Sequence, residues 1–69
     1  MSKYDWSKIP NHINFMVTDG DGWGYGYTYK PTRMDKHEVW QPYEFEVSYP
    51  KDKNTYKGDW KESLEERPK

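Results

Sequence analysis

Residues 23–29 read Trp-Gly-Tyr-Gly-Tyr-Thr-Tyr, a strict alternation of aromatic and small residues. A β-strand sends successive side chains to opposite faces. This stretch therefore predicts a strand with four rings on one face and nearly bare backbone on the other. The ring-bearing face is either part of the core or a binding surface, and the alternation fits both.

The rest of the chain is also rich in aromatic residues and poor in aliphatic ones. Thirteen of its 69 residues are Phe, Trp or Tyr, and its net charge is -1. Low mean hydropathy is typical of disorder, but a nearly neutral chain does not repel itself and each ring buries a large area. We therefore expect a single folded domain over residues 1–69, with an aromatic core.

Extra stabilisation of so small a domain has few sources in this sequence. Without cysteine there are no disulfides or thiolate metal sites. Two histidines, His12 and His37, are too few for a zinc site. A homo-oligomer remains open, and no metal or cofactor is expected.

Strand-like patterns on both sides of the aromatic stretch predict an antiparallel sheet over residues 13–49. Residues 13–18 alternate and form its first strand, and residues 38–41 form a short strand that Pro42 interrupts. Residues 43–49 are apolar at odd and polar at even positions, as in a half-buried antiparallel strand. The predicted arrangement is a three- to four-stranded antiparallel meander.

The two ends of the chain predict short helical segments. Residues 1–12 are expected to form an arm with a short helical turn, and residues 50–58 a charged loop. Residues 59–67 predict a short C-terminal helix, because Asp59 and Glu62 have the spacing of a capping box. The predicted fold class is thus α+β, mostly β.

The aromatic stripe at 23–29 supports two interpretations. In one its rings face the core, and Trp60 or Trp6 covers the glycines behind them. In the other the rings are exposed to a partner; buried tyrosine hydroxyls need hydrogen-bond partners, which favours a half-exposed stripe with Tyr25 and Tyr27 as the first exposed rings. The candidate binding residues are Trp23, Tyr25, Tyr27, Tyr29, Lys30, Arg33 and Trp40.

The sequence contains no constellation that predicts catalysis. Residues 19–22, Asp-Gly-Asp-Gly, fit a turn better than a calcium loop, since the twelfth position from the first Asp is Lys30 instead of Glu. Glu44 and Glu46 are expected on the solvated face of their strand. Nucleophile–His–acid arrangements and phosphate-binding glycine motifs are absent from the sequence. We therefore expect a non-enzymatic protein.

Several features follow one another along the chain: Trp6 and Pro10, Val-Thr-Asp-Gly-Asp-Gly at 17–22, the aromatic strand, Lys30-Pro31, and Asp-Trp-Lys-Glu-Ser-Leu-Glu-Glu-Arg-Pro at 59–68. In this order they resemble a group of short, uncharacterised proteins encoded by tailed bacteriophages of enterobacteria. That group has an Asp-x-Asp-Gly turn before an aromatic strand and a Trp-Lys-x-Ser-Leu-x-x-Arg-Pro ending. The resemblance covers nearly the whole chain, is most specific in the last ten residues, and implies no particular functional residue.

The resemblance implies a biological context for the aromatic surface. Small phage proteins made in the host cytosol often bind and block one host protein, including defence nucleases and polymerases. We therefore expect an accessory protein of the host cytoplasm that inhibits a host protein through exposed sheet aromatics. The first residues, Met1–Asp5, have no apolar region like that of a signal peptide, and no apolar run is long enough for a membrane span.

Two other functions remain as alternatives. The first is a sponge for a small nucleotide, in which a ring stacks on the base and Lys30 or Arg33 meets the phosphate. The second is a nucleic-acid mimic or binder, which the net charge of -1 disfavours because mimics are strongly acidic and binders basic.

Overall fold

The described part of the chain contains six short β-strands and two 3-10 turns. The structure, a computed structural model, describes residues 3–44, 46–53 and 56–68. The strands are β1 (Phe15–Thr18), β2 (Trp23–Tyr27), β3 (Thr32–Met34), β4 (Val39–Gln41), β5 (Tyr49–Lys53) and β6 (Glu65–Glu66). The 3-10 turns are Trp6–Lys8 and Trp60–Glu62.

Four strands form one antiparallel sheet in the order β5-β2-β1-β6, and β3 and β4 form a separate hairpin. The prediction of a mostly antiparallel β fold is confirmed, although the strand order is not that of a simple meander. Residues directly opposite each other in β1 and β2 share a face. The pairs are Phe15↔Tyr27, Met16↔Gly26, Val17↔Tyr25 and Thr18↔Gly24. The sheet therefore has an aromatic face, and a glycine face on which Met16 and Thr18 lie.

The aromatic face is covered by the β3–β4 hairpin and the second 3-10 turn. Trp40 of β4 is buried there with Val17 and Tyr27, and Trp60 packs against this cluster. The two indole rings meet edge to face, with centroids 6.3 Å apart at 86°, a favourable aromatic geometry. Trp40 Nε1 also donates to the Trp60 carbonyl at 3.2 Å. The hairpin and the C-terminal turn are thus fastened together over the sheet.

The glycine face is covered by the N-terminal arm. Tyr4 and Ile9 of the arm are buried there in one cluster with Ile13 and Met16, and Trp6 packs against this cluster. A Cβ atom at Gly26 would lie 2.7 Å from Ile13 Cγ2 and 3.0 Å from Met16 Sδ. Gly26 is required because these side chains pack directly on its backbone. Of the two tryptophans expected on this face, Trp6 is found here and Trp60 on the other.

The predicted helix over residues 59–67 is wrong. The Asp59 side chain does accept from the Lys61 backbone N–H at 3.0 Å, but the turn is 3-10 and ends at Glu62. The chain then extends, and β6 pairs with the edge of β1. Ser63 explains the change, because its buried Oγ accepts from the Thr18 N–H at 2.8 Å and lies 3.0 Å from the Thr18 carbonyl. The Ser63 side chain therefore satisfies the backbone N–H of Thr18, next to the β1 residues that pair with β6.

The predicted strand over residues 43–49 is also wrong at 43, 44 and 46–48, and the predicted loop over 50–58 is wrong at 50–53. Residues 45, 54 and 55 of these two predictions lie outside the described residues. The Glu46 N–H donates to the Tyr43 carbonyl at 3.2 Å, which closes a turn, and Glu44 within it has a φ of 52°. A positive φ interrupts an extended chain. The strand lies instead at Tyr49–Lys53, where it pairs with β2 as an edge of the sheet. An edge position accommodates Pro50, which lacks a backbone donor.

Arg67 joins the C-terminal strand to the N-terminal arm. Its Nε donates to the Ile13 carbonyl at 2.9 Å, and one terminal nitrogen donates to the Pro10 carbonyl at 2.6 Å. Its guanidinium carbon lies 4.8 Å from the ring centroid of Trp6. Trp6 Nε1 donates in turn to Glu65 at 2.7 Å. The C-terminal segment 59–68 therefore supplies structural contacts through Trp60, Ser63, Glu65 and Arg67.

Candidate functional site

The seven candidate binding residues are not brought together on one surface. Tyr27 is only 4% exposed and Trp40 only 7%, because the β3–β4 hairpin lies over the middle of the aromatic face. The expectation that Tyr27 faces water is therefore wrong, and Trp40 is buried as well. Tyr25 is half-buried. Trp23 and Tyr29, on either side of this covered region, are 38% and 60% exposed.

The two cations predicted to meet a phosphate do not face the exposed rings together. Arg33 Nε lies 2.7 Å from Asp35 Oδ1 in the β3–β4 hairpin, and one of its terminal nitrogens donates to the Lys61 carbonyl at 3.3 Å. Lys30 is exposed in the segment after β2. Arg33 thus pairs with an acid and with the C-terminal turn.

An open cleft of about 650 Å³ lies beside the end of β2. We call it the tyrosine cleft, and its lining residues are Thr28, Tyr29, Tyr43, Glu44 and Glu46. The ring centroids of Tyr29 and Tyr43 lie 5.8 Å apart, and the two ring planes are inclined at 51°. This separation is within the range of an interacting aromatic pair. Tyr43 is 55% exposed, so both rings are accessible from solvent.

Glu46 holds the two sides of the tyrosine cleft together. Its carboxylate accepts from the backbone N–H of Thr28 and from that of Tyr29, the second at 3.0 Å. The turn of residues 43–46 is thereby fixed to the segment that follows β2. Charge-assisted bonds of this kind are stronger than neutral ones. The position of Tyr29 against Tyr43 is therefore set by backbone contacts as well as by ring packing.

Sequence reasoning missed Tyr43, Glu44 and Glu46 as members of a site. Their alternation predicted a strand with Tyr43 and Val47 facing the core, whereas both are exposed in the structure. The cause is the turn at Glu44, for which the sequence provides no glycine or asparagine signal. Tyr29 is the one candidate residue that lines the cleft.

A second, smaller cavity of about 200 Å³ lies beside the N-terminal arm. Its charged lining residues pair with their neighbours: Lys8 Nζ lies 3.9 Å from Asp5, and Lys51 Nζ 3.7 Å from Asp52. Mutual pairing leaves less net charge with which to select a ligand. The tyrosine cleft is therefore the stronger candidate.

The Asp19 carboxylate has a structural role. It accepts from the Trp40 backbone N–H at 2.9 Å, so it fastens the turn after β1 to β4. Burial raises the pKa of Asp19, and the hydrogen bond from Trp40 acts in the opposite direction. Within residues 3–44, 46–53 and 56–68, no three His, Asp or Glu side chains converge as a metal site. The helical turns of those ranges are too short to cross a membrane.

Tyr4 and Tyr27 are expected to ionise late and to make the fold sensitive to alkali. Burial raises the pKa of each from 10.0 to about 12, because a phenolate is costly to desolvate. The folded state therefore holds these protons more tightly than the unfolded chain. The stability they contribute is fully present below pH 10 and is lost as the pH rises towards 12.

An absorbance titration of the phenolates, run beside circular dichroism, checks this prediction. Of the seven tyrosines, at least two should ionise only as the fold is lost. The control is the same titration in strong denaturant, where all tyrosines should ionise together near their ordinary pKa. Complete ionisation near that pKa with the fold intact would contradict the prediction.

Comparison with known proteins provides no relative from which a function of the tyrosine cleft could be inferred. No protein-family model, curated protein or solved structure matches this chain.

Proposed function

We propose that this chain is a non-enzymatic protein-binding module that docks on its partner through the tyrosine cleft. The resemblance of its sequence to small phage proteins supports a more specific proposal, that it is a bacteriophage accessory protein that binds and inhibits a host protein in the host cytoplasm. The observation that carries the proposal is the exposed pair of Tyr29 and Tyr43 beside a concave surface.

Exposed tyrosines are suited to protein binding for a physical reason. A tyrosine offers a large contact area and a hydroxyl, yet it loses little side-chain entropy when it is fixed. The Glu46 carboxylate accepts from the backbone N–H of Tyr29. The unbound protein has therefore already lost part of the conformational entropy that ordering this segment requires. Val47, exposed near the turn that carries Tyr43, adds apolar surface.

The proposed surface differs from the one expected from sequence. Tyr27 and Trp40 are core residues and are removed from it, and Tyr43 is added. Trp23 lies at the other end of β2 from the cleft. That leaves Trp23 as an exposed aromatic residue outside the proposed site, and hence as a control.

A nucleotide sponge is the less favoured function. The rings of the cleft suit base stacking, but its described lining contains Glu44 and Glu46 and neither Lys30 nor Arg33. A phosphate beside two carboxylates is repelled. The same charges argue against nucleic acid as the ligand, and a second copy of the chain is an outcome that the experiment must separate.

Tyr29→Ala and Tyr43→Ala are expected to weaken binding to the partner by more than about tenfold, as interface aromatic anchors do. Trp23→Ala, which removes an exposed ring outside the cleft, should leave affinity within about twofold. The measurement is affinity capture from host lysate, with the recovered protein then purified and titrated against each variant. Circular dichroism melting must show that each variant is folded.

Three results would contradict the proposal. One is loss of binding in Trp23→Ala but not in Tyr29→Ala. Another is a rise in melting temperature with mono- or cyclic nucleotides, which would favour the sponge. A third is a dimer in sedimentation that Tyr29→Ala dissociates, which would make the cleft a self-association surface.

A further inference from the structure

The chemistry of the tyrosine cleft restricts the side chain that it can receive. Its described lining combines two phenol rings with two carboxylates and one threonine, and includes no basic side chain. Glu44 is exposed and Glu46 half-buried. Each Glu46 oxygen accepts one backbone N–H, and a carboxylate can accept about four hydrogen bonds in all. The cleft therefore presents negative charge and open acceptors next to aromatic faces.

We infer that the tyrosine cleft binds an arginine side chain of the partner protein. The inference rests on the proposed function and names the chemical group that this surface recognises. The face of an aromatic ring carries negative charge density and attracts a cation. A guanidinium is planar and weakly hydrated, so it stacks on a phenol ring while its edge donates to a carboxylate.

Arginine suits this geometry better than lysine. The ring centroids of Tyr29 and Tyr43 lie 5.8 Å apart, and the face of either exposed ring can stack on a flat group. An ammonium is compact and strongly hydrated, and it cannot stack flat on a ring or present a planar fork to a carboxylate. Two carboxylates beside aromatic rings also provide too few oxygens for a calcium site, which needs six to eight.

The fold already uses this combination of groups elsewhere. Arg67 lies over the Trp6 ring at 4.8 Å, and Trp6 Nε1 donates to the Glu65 carboxylate at 2.7 Å. There the chain supplies its own guanidinium to an aromatic ring next to an acid. At the tyrosine cleft the ring and the acids are present in the lining and the guanidinium is not.

The backbone N–H groups of Thr28 and Tyr29 provide a direct test, because both donate to Glu46. The protein, labelled with the heavy nitrogen isotope, is titrated with the capped tripeptide Gly-Arg-Gly. The amide resonances of Thr28 and Tyr29 are followed by NMR. The control peptide replaces arginine with citrulline, which has nearly the same shape and no charge. We expect saturable shifts with the arginine peptide, about tenfold weaker binding of the citrulline peptide, and intermediate binding of a lysine peptide.

Variants and salt separate charge recognition from simple stacking. Glu44→Gln should weaken the arginine peptide several-fold and leave the citrulline peptide unchanged. Added salt should weaken only the charged peptides. Equal shifts with arginine and citrulline, or stronger binding of adenosine monophosphate at the same amides, would overturn the inference.

Failure of this inference and failure of the proposed function give different results. If arginine and citrulline bind alike but Tyr29→Ala still loses the captured partner, the cleft is a protein-binding site without arginine recognition. If the Tyr29→Ala variant still binds the partner, the proposed function is wrong. The inference that the cleft binds an arginine of that partner is then wrong too.

Discussion

Trp40→Ala is expected to lower the free energy of unfolding by about 3–5 kcal/mol, the range for removing a buried aromatic side chain from a core. Trp40 is buried with Val17 and Tyr27, contacts the Trp60 ring edge to face, and donates its indole N–H to the Trp60 carbonyl. The substitution therefore removes the contact that holds the hairpin and the C-terminal turn over the sheet. A domain of this length has a total stability of about 3–10 kcal/mol, so the variant should be largely unfolded or close to it.

Trp23→Ala is the matched control, since the same side chain is removed from a site that is 38% exposed. It should cost about 1 kcal/mol or less. Urea unfolding followed by circular dichroism gives both values, and Trp40→Phe provides an intermediate that keeps a ring in the core. Similar losses in Trp40→Ala and Trp23→Ala would show that the hairpin does not cover the sheet as described.

The central strand pair could be predicted from sequence because its signal is local. Alternation at 23–29 has a period of two, so it specifies β2 and both of its faces without knowledge of any other segment. Which rings are covered depends on contacts between distant residues, such as Trp40 with Trp60. No periodicity in the sequence reports that contact, and so Tyr27 was expected in solvent and is buried instead.

The C-terminal segment shows how a correct local signal still led to the wrong element. Asp59 caps a turn as its spacing predicts, but the cap alone does not determine whether a helix continues. Ser63 bonds to the backbone of Thr18, 45 positions earlier, and Glu65–Glu66 complete the edge of β1. A helix of this length is marginal alone in water, so these distant backbone partners decide its structure.

The tyrosine cleft depends on the same kind of long-range contact. Tyr29 belongs to the aromatic stripe and could be proposed from sequence. Tyr43 reaches it only because Glu46 bonds to the backbone at Thr28 and Tyr29, 18 and 17 positions earlier. The alternation of residues 43–49 points instead to a strand, and the turn at Glu44 is not visible in it.

Arg67→Ala is expected to cost about 2–4 kcal/mol, because hydrogen bonds from a charged group each contribute about 1.5–3 kcal/mol. The change leaves the Ile13 carbonyl without its Arg67 donor and removes one of the two donors to the Pro10 carbonyl, and it removes the cation from the Trp6 ring. Arg67→Lys keeps the charge but not the planar fork that reaches both carbonyls. We therefore expect lysine to restore less than half of the lost stability.

Arg33→Ala is the control, since it removes the other arginine of the chain. Arg33 pairs with Asp35 and donates to the Lys61 carbonyl, both at the exposed surface, where such contacts contribute about 0–1 kcal/mol. Hydrogen exchange distinguishes local release from global loss: in Arg67→Ala the Ile13 N–H, bonded to the Pro10 carbonyl at 3.1 Å, should exchange faster than the amides of β1 and β2. Equal acceleration of all these amides would mean that the arm and the sheet unfold as one unit. Ile13, whose carbonyl accepts from Arg67, packs on the backbone of Gly26, so its release in Arg67→Ala would expose the glycine face of the sheet to solvent.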